Sequence, residues 1–192
     1  MKSTLLSLIS LASLAQAQAS VHITWEQVGE EVRVAYSGSI DTTGITYSGT
    51  GGIGIPNNVT AGDDNFYVLN LVSTDYLYFS GGNSVSTGLA SYDKDIIGTP
   101  TLLIPESADS FGFWPGFLFL PYEYNSGDPI SGWVLLPDIS LADLNAENFN
   151  NTLAWDDGGA NQIYYTTIPE PGSAALLGLT ALGFIHRKRS CS

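Results

Sequence analysis

Residues 21–37 read VHITWEQVGEEVRVAYS, and this stretch decides the fold class. Apolar residues occupy alternate positions on both sides of a central Gly29-Glu30 pair. A period of two is typical of β-strands with one buried face. The Gly29-Glu30 pair predicts a short hairpin loop, so we expect the two strands to pair antiparallel.

The rest of the body continues the same pattern. Further strands are predicted at residues 66–72, 76–79, 101–104, 116–120, 132–136 and 162–168, separated by turns rich in Gly, Pro, Asn, Asp and Ser. About eight short strands predict one all-β domain, an antiparallel β-sandwich or jelly roll, with a barrel as the alternative. Strands that alternate, instead of forming continuous apolar runs, argue against a parallel sheet. Only residues 139–149 predict a helix, with Ser140 as its N-cap.

The N-terminal 19 residues have the features of a secretory signal peptide. Lys2 precedes an apolar run over residues 5–14, which leads to the small-residue triplet Ala17-Gln18-Ala19. This order predicts export and cleavage after Ala19, or after Ala17 as the fallback. The β-rich extracytoplasmic domain then spans residues 20–167.

The C-terminal segment, residues 168–189, follows a second ordered pattern. Pro169-Glu170-Pro171 precedes an apolar run over residues 172–185, and a basic cluster of Arg187, Lys188 and Arg189 follows. The basic residues predict a stop on the cytoplasmic side of the membrane. Fourteen residues of helix span about 21 Å, against about 30 Å of hydrocarbon, which favours a temporary anchor.

This segment closely resembles the PEP-CTERM protein-sorting domain of Gram-negative bacteria. The resemblance covers residues 168–189, and residues 37–51, 109–113 and 155–163 of the body are similar to segments of uncharacterised members. It implies that the secretion machinery exports the chain and that the cytoplasmic membrane holds it transiently through residues 172–185. An exosortase, a membrane-embedded cysteine protease, then processes the tail near Pro169-Glu170-Pro171. The body is expected at the cell surface or in an extracellular, biofilm-type matrix.

The charge and cysteine content exclude several functions for the body. Residues 20–171 contain all 19 acidic residues and two basic ones, Arg33 and Lys94, for a net charge of −17. Such a body is repelled by nucleic acid, so no nucleic-acid partner is expected. The only cysteine is Cys191, so the body has no disulfide, thiolate metal site or cysteine nucleophile.

No motif in the body predicts catalysis. Residues 49–54 spell G-x-G-x-x-G, but Pro56 follows and no helix begins there to hold a dinucleotide. Acidic pairs such as Asp63-Asp64 are solvated turn residues by default, and His22 lacks a nucleophile elbow as partner. We therefore predict no enzyme activity and no required cofactor; calcium is the one ion that the oxygen-rich turns suit.

Aromatic residues cluster between positions 111 and 124. Buried rings there would fill the core, which we expect for most of them, whereas exposed rings would bind sugar faces. Trp114, Tyr122 and Tyr124 are the candidate ligand-binding residues, with extracellular polysaccharide as the ligand. The leading prediction is a non-enzymatic surface or matrix protein, and the alternative is a secreted carbohydrate-binding or carbohydrate-active jelly-roll module.

Overall fold

A computed structural model describes residues 19–52, 58–69, 75–94, 104 and 109–169 of the 192-residue chain. These residues are all-β: they form thirteen strands and contain no helix. In chain order the strands are β1 (Ala19–Val28), β2 (Glu31–Ser39), β3 (Thr46–Gly52), β4 (Asn58–Gly62), β5 (Asn65–Leu69), β6 (Asp75–Ser80), β7 (Asn83–Ser84), β8 (Tyr92–Lys94), β9 (Phe111–Trp114), β10 (Phe117–Pro121), β11 (Pro129–Leu136), β12 (Thr152–Asp156) and β13 (Asn161–Ile168).

The strands form two sheets. One has six strands in the order β11-β2-β1-β13-β12-β7, and the other has seven in the order β3-β6-β10-β9-β5-β4-β8. The predicted first hairpin is confirmed, since Val28 pairs with Glu31 and Gly29 has a φ of 65°. A positive φ at the first loop position is what a two-residue type II′ turn requires.

The two sheets share one aromatic core. The ring of Trp25 on β1 lies 6.1 Å from that of Phe66 on β5, and Tyr36 on β2 stacks on Phe111 of β9 at 5.4 Å. Each fully buried large side chain contributes roughly 1.5–3 kcal/mol of transfer free energy, so these rings hold the sheets face to face. Burial raises the pKa of Tyr165 in the same core, which keeps its phenol neutral.

One strand pair departs from the antiparallel expectation. β1 and β13 pair parallel, with Ala19 opposite Asn161 and Glu26 opposite Ile168, while the remaining pairs among the described strands are antiparallel. The alternating pattern predicts that one face of β1 is exposed to solvent, but it does not predict whether the neighbouring strand runs parallel or antiparallel.

The predicted helix at residues 139–149 is wrong. Ser140 does act as a cap, because its Oγ accepts the Asp143 N–H at 3.1 Å and Asp143 Oδ2 accepts the Ser140 N–H at 3.1 Å. A single turn follows, closed by the Leu144 N–H on the Ser140 carbonyl at 3.2 Å. Asn145 then has a φ of 55°, a left-handed conformation that ends the turn.

Candidate functional site

The outer face of the seven-stranded sheet carries an aromatic groove. Strand alternation turns Phe66 and Val68 of β5 into the core and leaves Tyr67 on the outside. The same alternation on β10 buries Leu118 and Leu120 and leaves Phe117 and Phe119 on the outer face. The groove encloses about 400 Å³ and is lined by Thr50, Tyr67, Leu69, Tyr76, Tyr78, Trp114, Phe117 and Phe119.

The rings of the groove contact one another across neighbouring strands. Phe119 lies at the centre, with its ring 5.3 Å from Tyr76 and 5.9 Å from Trp114, both edge to face. Tyr67 lies 6.5 Å from Trp114, and Tyr78 lies 6.3 Å from Phe117. These separations are the preferred range for aromatic pairs, so the rings fix one another's orientation.

Gly112 lies where the backbones of neighbouring strands approach closely on this face. It pairs with Tyr67 of β5 on one side and Phe119 of β10 on the other. A Cβ at this position would lie 2.3 Å from the Cβ of Tyr67 and 2.5 Å from the carbonyl oxygen of Phe66. Only glycine fits at this close approach between strands.

The turn between β9 and β10 positions Trp114 at the rim. Trp114 pairs with Phe117, so Pro115 and Gly116 form a two-residue loop. Gly116 has a φ of 82°, and Pro followed by such a glycine is the signature of a type II turn. The Gly116 carbonyl accepts the Gly81 N–H at 3.1 Å, which ties the turn to the end of β6.

The described lining residues of the groove are mostly apolar and all uncharged, with hydroxyl groups among the rings. The side chain of Trp114 is 45% exposed, and Tyr67, Tyr76 and Tyr78 are half-buried. Burial raises the pKa of Tyr76, and the neighbouring Tyr78 and Tyr67 raise it further. The phenol of Tyr76 therefore stays neutral near pH 7 and can both donate and accept a hydrogen bond.

The aromatic residues singled out from the sequence have different surroundings. Phe111 and Phe113 are buried, as expected for core residues, whereas the core expectation is wrong for the exposed Trp114. Tyr122 is 49% exposed in the turn after β10 and does not line the groove.

Tyr124 holds two loops together. Its hydroxyl accepts the Ile40 N–H at 2.8 Å and lies 2.9 Å from the Ile40 carbonyl oxygen and 2.8 Å from that of Asp128. With one proton, the phenol donates to one of these oxygens at a time. The structure thus brings neither Tyr122 nor Tyr124 together with Trp114.

Three groove residues lie outside the aromatic cluster singled out from the sequence: Tyr67, Tyr76 and Tyr78. Phe117 and Phe119 lie within that cluster, at positions 111–124, but were expected in the core. Their strands were predicted, but their rings were not assigned to a solvent face. The available signal was that aromatic and apolar residues follow one another without a break along β6 and β10, so that both faces of each strand are apolar. Such strands have either two buried faces or one exposed apolar face.

The carboxylates of the acidic turns accept hydrogen bonds from groups in nearby loops. Asp63 accepts hydrogen bonds from Ser86 Oγ at 2.8 and 2.9 Å and from the Gly88 N–H, and these bonds lower the pKa of its carboxyl. Asp156 and Asp157 accept the N–H groups of Gly158 and Gly159 at 2.6 and 2.7 Å. Within the described ranges, no group of three or more His, Cys, Asp or Glu residues is arranged to hold a metal ion.

The remaining candidates lie away from the groove. His22 is exposed on the six-stranded sheet and stacks on Tyr164 at 5.6 Å. Gly49 to Gly52 of the glycine motif belong to strand β3 and open no helix.

The predicted processing segments fall mostly outside the described residues. Pro169 is described and is exposed directly after β13. Glu170, Pro171, the apolar run 172–185, Arg187, Lys188 and Arg189 lie outside the described residues, as do residues 1–18 of the predicted signal peptide. In the part of the chain that is described, no helix has the length and apolar character needed to cross a membrane.

Comparison with known proteins gives no relative: no family model, curated protein or solved structure matches the chain. The resemblance to the sorting domain therefore rests on the residues quoted above.

Proposed function

We propose that this chain is an exported, non-enzymatic surface or matrix protein, a β-sandwich of jelly-roll type that an exosortase sorts through its C-terminal motif. The observation that carries the proposal is where the described fold ends. The last strand, β13, ends at Ile168, one residue before Pro169 of the predicted sorting motif.

The sheet register supports removal of the C-terminal segment without loss of the described fold. β13 lies inside the six-stranded sheet, between β1 and β12, and is paired with β1 up to Ile168. Pro169 follows at once and is exposed. A protease acting beyond Pro169 would break no hydrogen bond of the described ladder, so the released body keeps its sheet.

The parallel pairing also places the two ends of the domain apart. Ala19 and Ile168 lie at opposite ends of the β1–β13 pair, separated by seven residue steps or roughly 23 Å. A chain held by its tail would therefore present the Ile168 end to the membrane and the Asn161 end outward.

Replacing Pro169, Glu170 and Pro171 with alanine tests the sorting proposal. We expect the variant to stay in the inner-membrane fraction, with Arg187–Arg189 still attached in its intact mass. The unaltered chain is expected at the surface as a species from near Ser20 to near Pro171. Glu30→Ala, at an exposed turn, is the matched control for loss of one acidic residue. Release of the triple variant at the normal rate and mass would refute the proposal.

The second candidate function is a secreted carbohydrate-binding or carbohydrate-active module, and the exposed Trp114 favours its binding form. A glycosidase needs two carboxyl groups facing each other across the ligand. None of the described lining residues is a carboxylate, and the only histidine in the described residues, His22, lies on the other sheet. The described part of the groove thus offers aromatic faces for binding, and none of its residues is an acid or base for hydrolysis.

A further inference from the structure

We infer that the aromatic groove binds a neutral glycan chain laid across strands β9, β10 and β6. This inference rests on the proposed export, which would bring the groove into contact with extracellular polysaccharide.

The shape of the groove suits an extended ligand. Trp114, Phe119 and Tyr76 lie on three neighbouring strands, with Trp114 and Tyr76 flanking the central ring edge to face. Neighbouring strands are about 4.8 Å apart, so the three residues cover roughly 10 Å across the sheet. An open groove of about 400 Å³ is within the usual size of a ligand site.

The chemistry of the lining matches a sugar. A pyranose has apolar C–H faces and a rim of hydroxyl groups. Aromatic faces bind the C–H faces, while the phenols of Tyr76 and Tyr78 offer both donors and acceptors to the rim. A purely apolar ligand would leave these phenols without partners.

The charge of the body and of the groove favours a neutral glycan over a charged one. The body carries a net charge of −17, which repels anionic polymers and also a second copy of the chain. The described residues that line the groove are all uncharged, so none of them supplies a carboxylate to pair with a cationic ligand. A neutral glycan is neither repelled by the body nor in need of a counter-charge.

The test measures binding of the purified full chain to neutral hexasaccharides of β-1,4-glucose, β-1,3-glucose, α-1,4-glucose and β-1,4-mannose. A uronic-acid hexamer and a glucosamine hexamer supply the anionic and cationic comparisons. Calorimetry gives the affinity, and quenching of tryptophan fluorescence by acrylamide reports whether Trp114 becomes covered. Trp25 and Trp155 are fully buried and contribute little quenching.

We expect at least one neutral hexamer to bind with an affinity that is insensitive to salt. Trp114→Ala should weaken it by about tenfold, and Trp114→Phe by less, because a ring is retained. Trp133→Ala is the matched control, since Trp133 lies on the other sheet against Arg33, and it should bind like the unaltered chain. A near-ultraviolet dichroism spectrum checks that each variant is folded.

Several outcomes would overturn the inference: no binding of any neutral hexamer, tighter binding of a charged hexamer, equal loss in Trp114→Ala and Trp133→Ala, or self-association that covers Trp114. Export and tail removal are read separately from the intact mass of the protein in its host. A failure of glycan binding is thereby distinguished from a failure of the sorting proposal.

Discussion

Gly112→Ala should destabilise the domain strongly, although it adds only one methyl group. The new Cβ would lie 2.3 Å from the Cβ of Tyr67, 2.4 Å from its Cα and 2.5 Å from the Phe66 carbonyl oxygen. Carbon atoms in contact prefer separations of about 3.5–4.0 Å. Two of the three obstructing atoms belong to the backbone of β5, so the strand itself has to move by roughly 1 Å.

The expected cost follows from this geometry. Overpacking of a well-packed site costs about 1–3 kcal/mol. Because backbone has to move here, we expect the upper part of that range, about 2–3 kcal/mol. For a domain of this size each kcal/mol lowers Tm by about 2–4 °C, which gives a decrease of about 4–12 °C.

Thermal unfolding followed by far-ultraviolet circular dichroism measures the change, with urea unfolding as a second estimate of the free energy. Gly159→Ala is the matched control, since its Cβ would meet only the side-chain carboxyl of Asp157, with the nearest oxygen at 3.3 Å, in an exposed turn. That variant should lie within about 0.5 kcal/mol of the unaltered chain. If Gly112→Ala unfolds at the same temperature as this control, the close approach of β5 and β9 is refuted.

Three further predictions concern hydrogen bonds. Asn161→Ala should lower the free energy of unfolding by about 2–4 kcal/mol, because it removes three hydrogen bonds of a buried amide. The amide oxygen accepts the Asp41 N–H at 2.7 Å, and the amide nitrogen donates to the Asp41 carbonyl at 2.8 Å and to Asp157 Oδ2 at 2.5 Å. An effect in urea unfolding no larger than that of the exposed Asn125→Ala would contradict this prediction. Tyr124→Phe should cost about 1–2 kcal/mol through loss of the bonds to Ile40, with Tyr122→Phe near zero by the same measurement. Hydrogen bonds from Ser86 and Gly88 hold the pKa of Asp63 below its ordinary value, so the stability they give is present above about pH 4 and is lost as pH falls through the folded-state pKa. Asp63→Asn should therefore flatten the acid limb of a plot of Tm against pH, and an unchanged limb would show that these bonds contribute no stability.

Local sequence patterns predicted the strands well where one face is buried. The alternation in residues 21–37 and the Gly29-Glu30 pair need only neighbouring residues to act, and the hairpin forms as expected. The strand predicted at residues 132–136 lies within β11, and residues 162–168 lie within β13. The prediction for residues 101–104 falls mostly on residues outside the described ranges.

The local sequence signals at residues 139–149 predicted a helix where the chain forms only one capped turn. Ser140 and Asp143 cap each other as the sequence indicates. A cap stabilises a helix by only about 1 kcal/mol, which is too little to hold further turns in helical conformation. The fold uses the segment to bury Leu144 against the core, and the left-handed Asn145 redirects the chain after one turn. Tertiary packing outweighs helix propensity at this scale.

The sequence by itself determined the class of the domain, its acidic charge and the patterns at its two ends. Period two, turn residues and composition are properties of neighbouring residues, so they can be read without knowing the fold. Only the tertiary structure decided that β13 pairs parallel with β1 and that Trp114, Phe119 and Tyr76 meet on one outer face. Strand order and ring exposure depend on contacts between residues far apart in the chain, and the free energy that selects them comes from burying one sheet against the other.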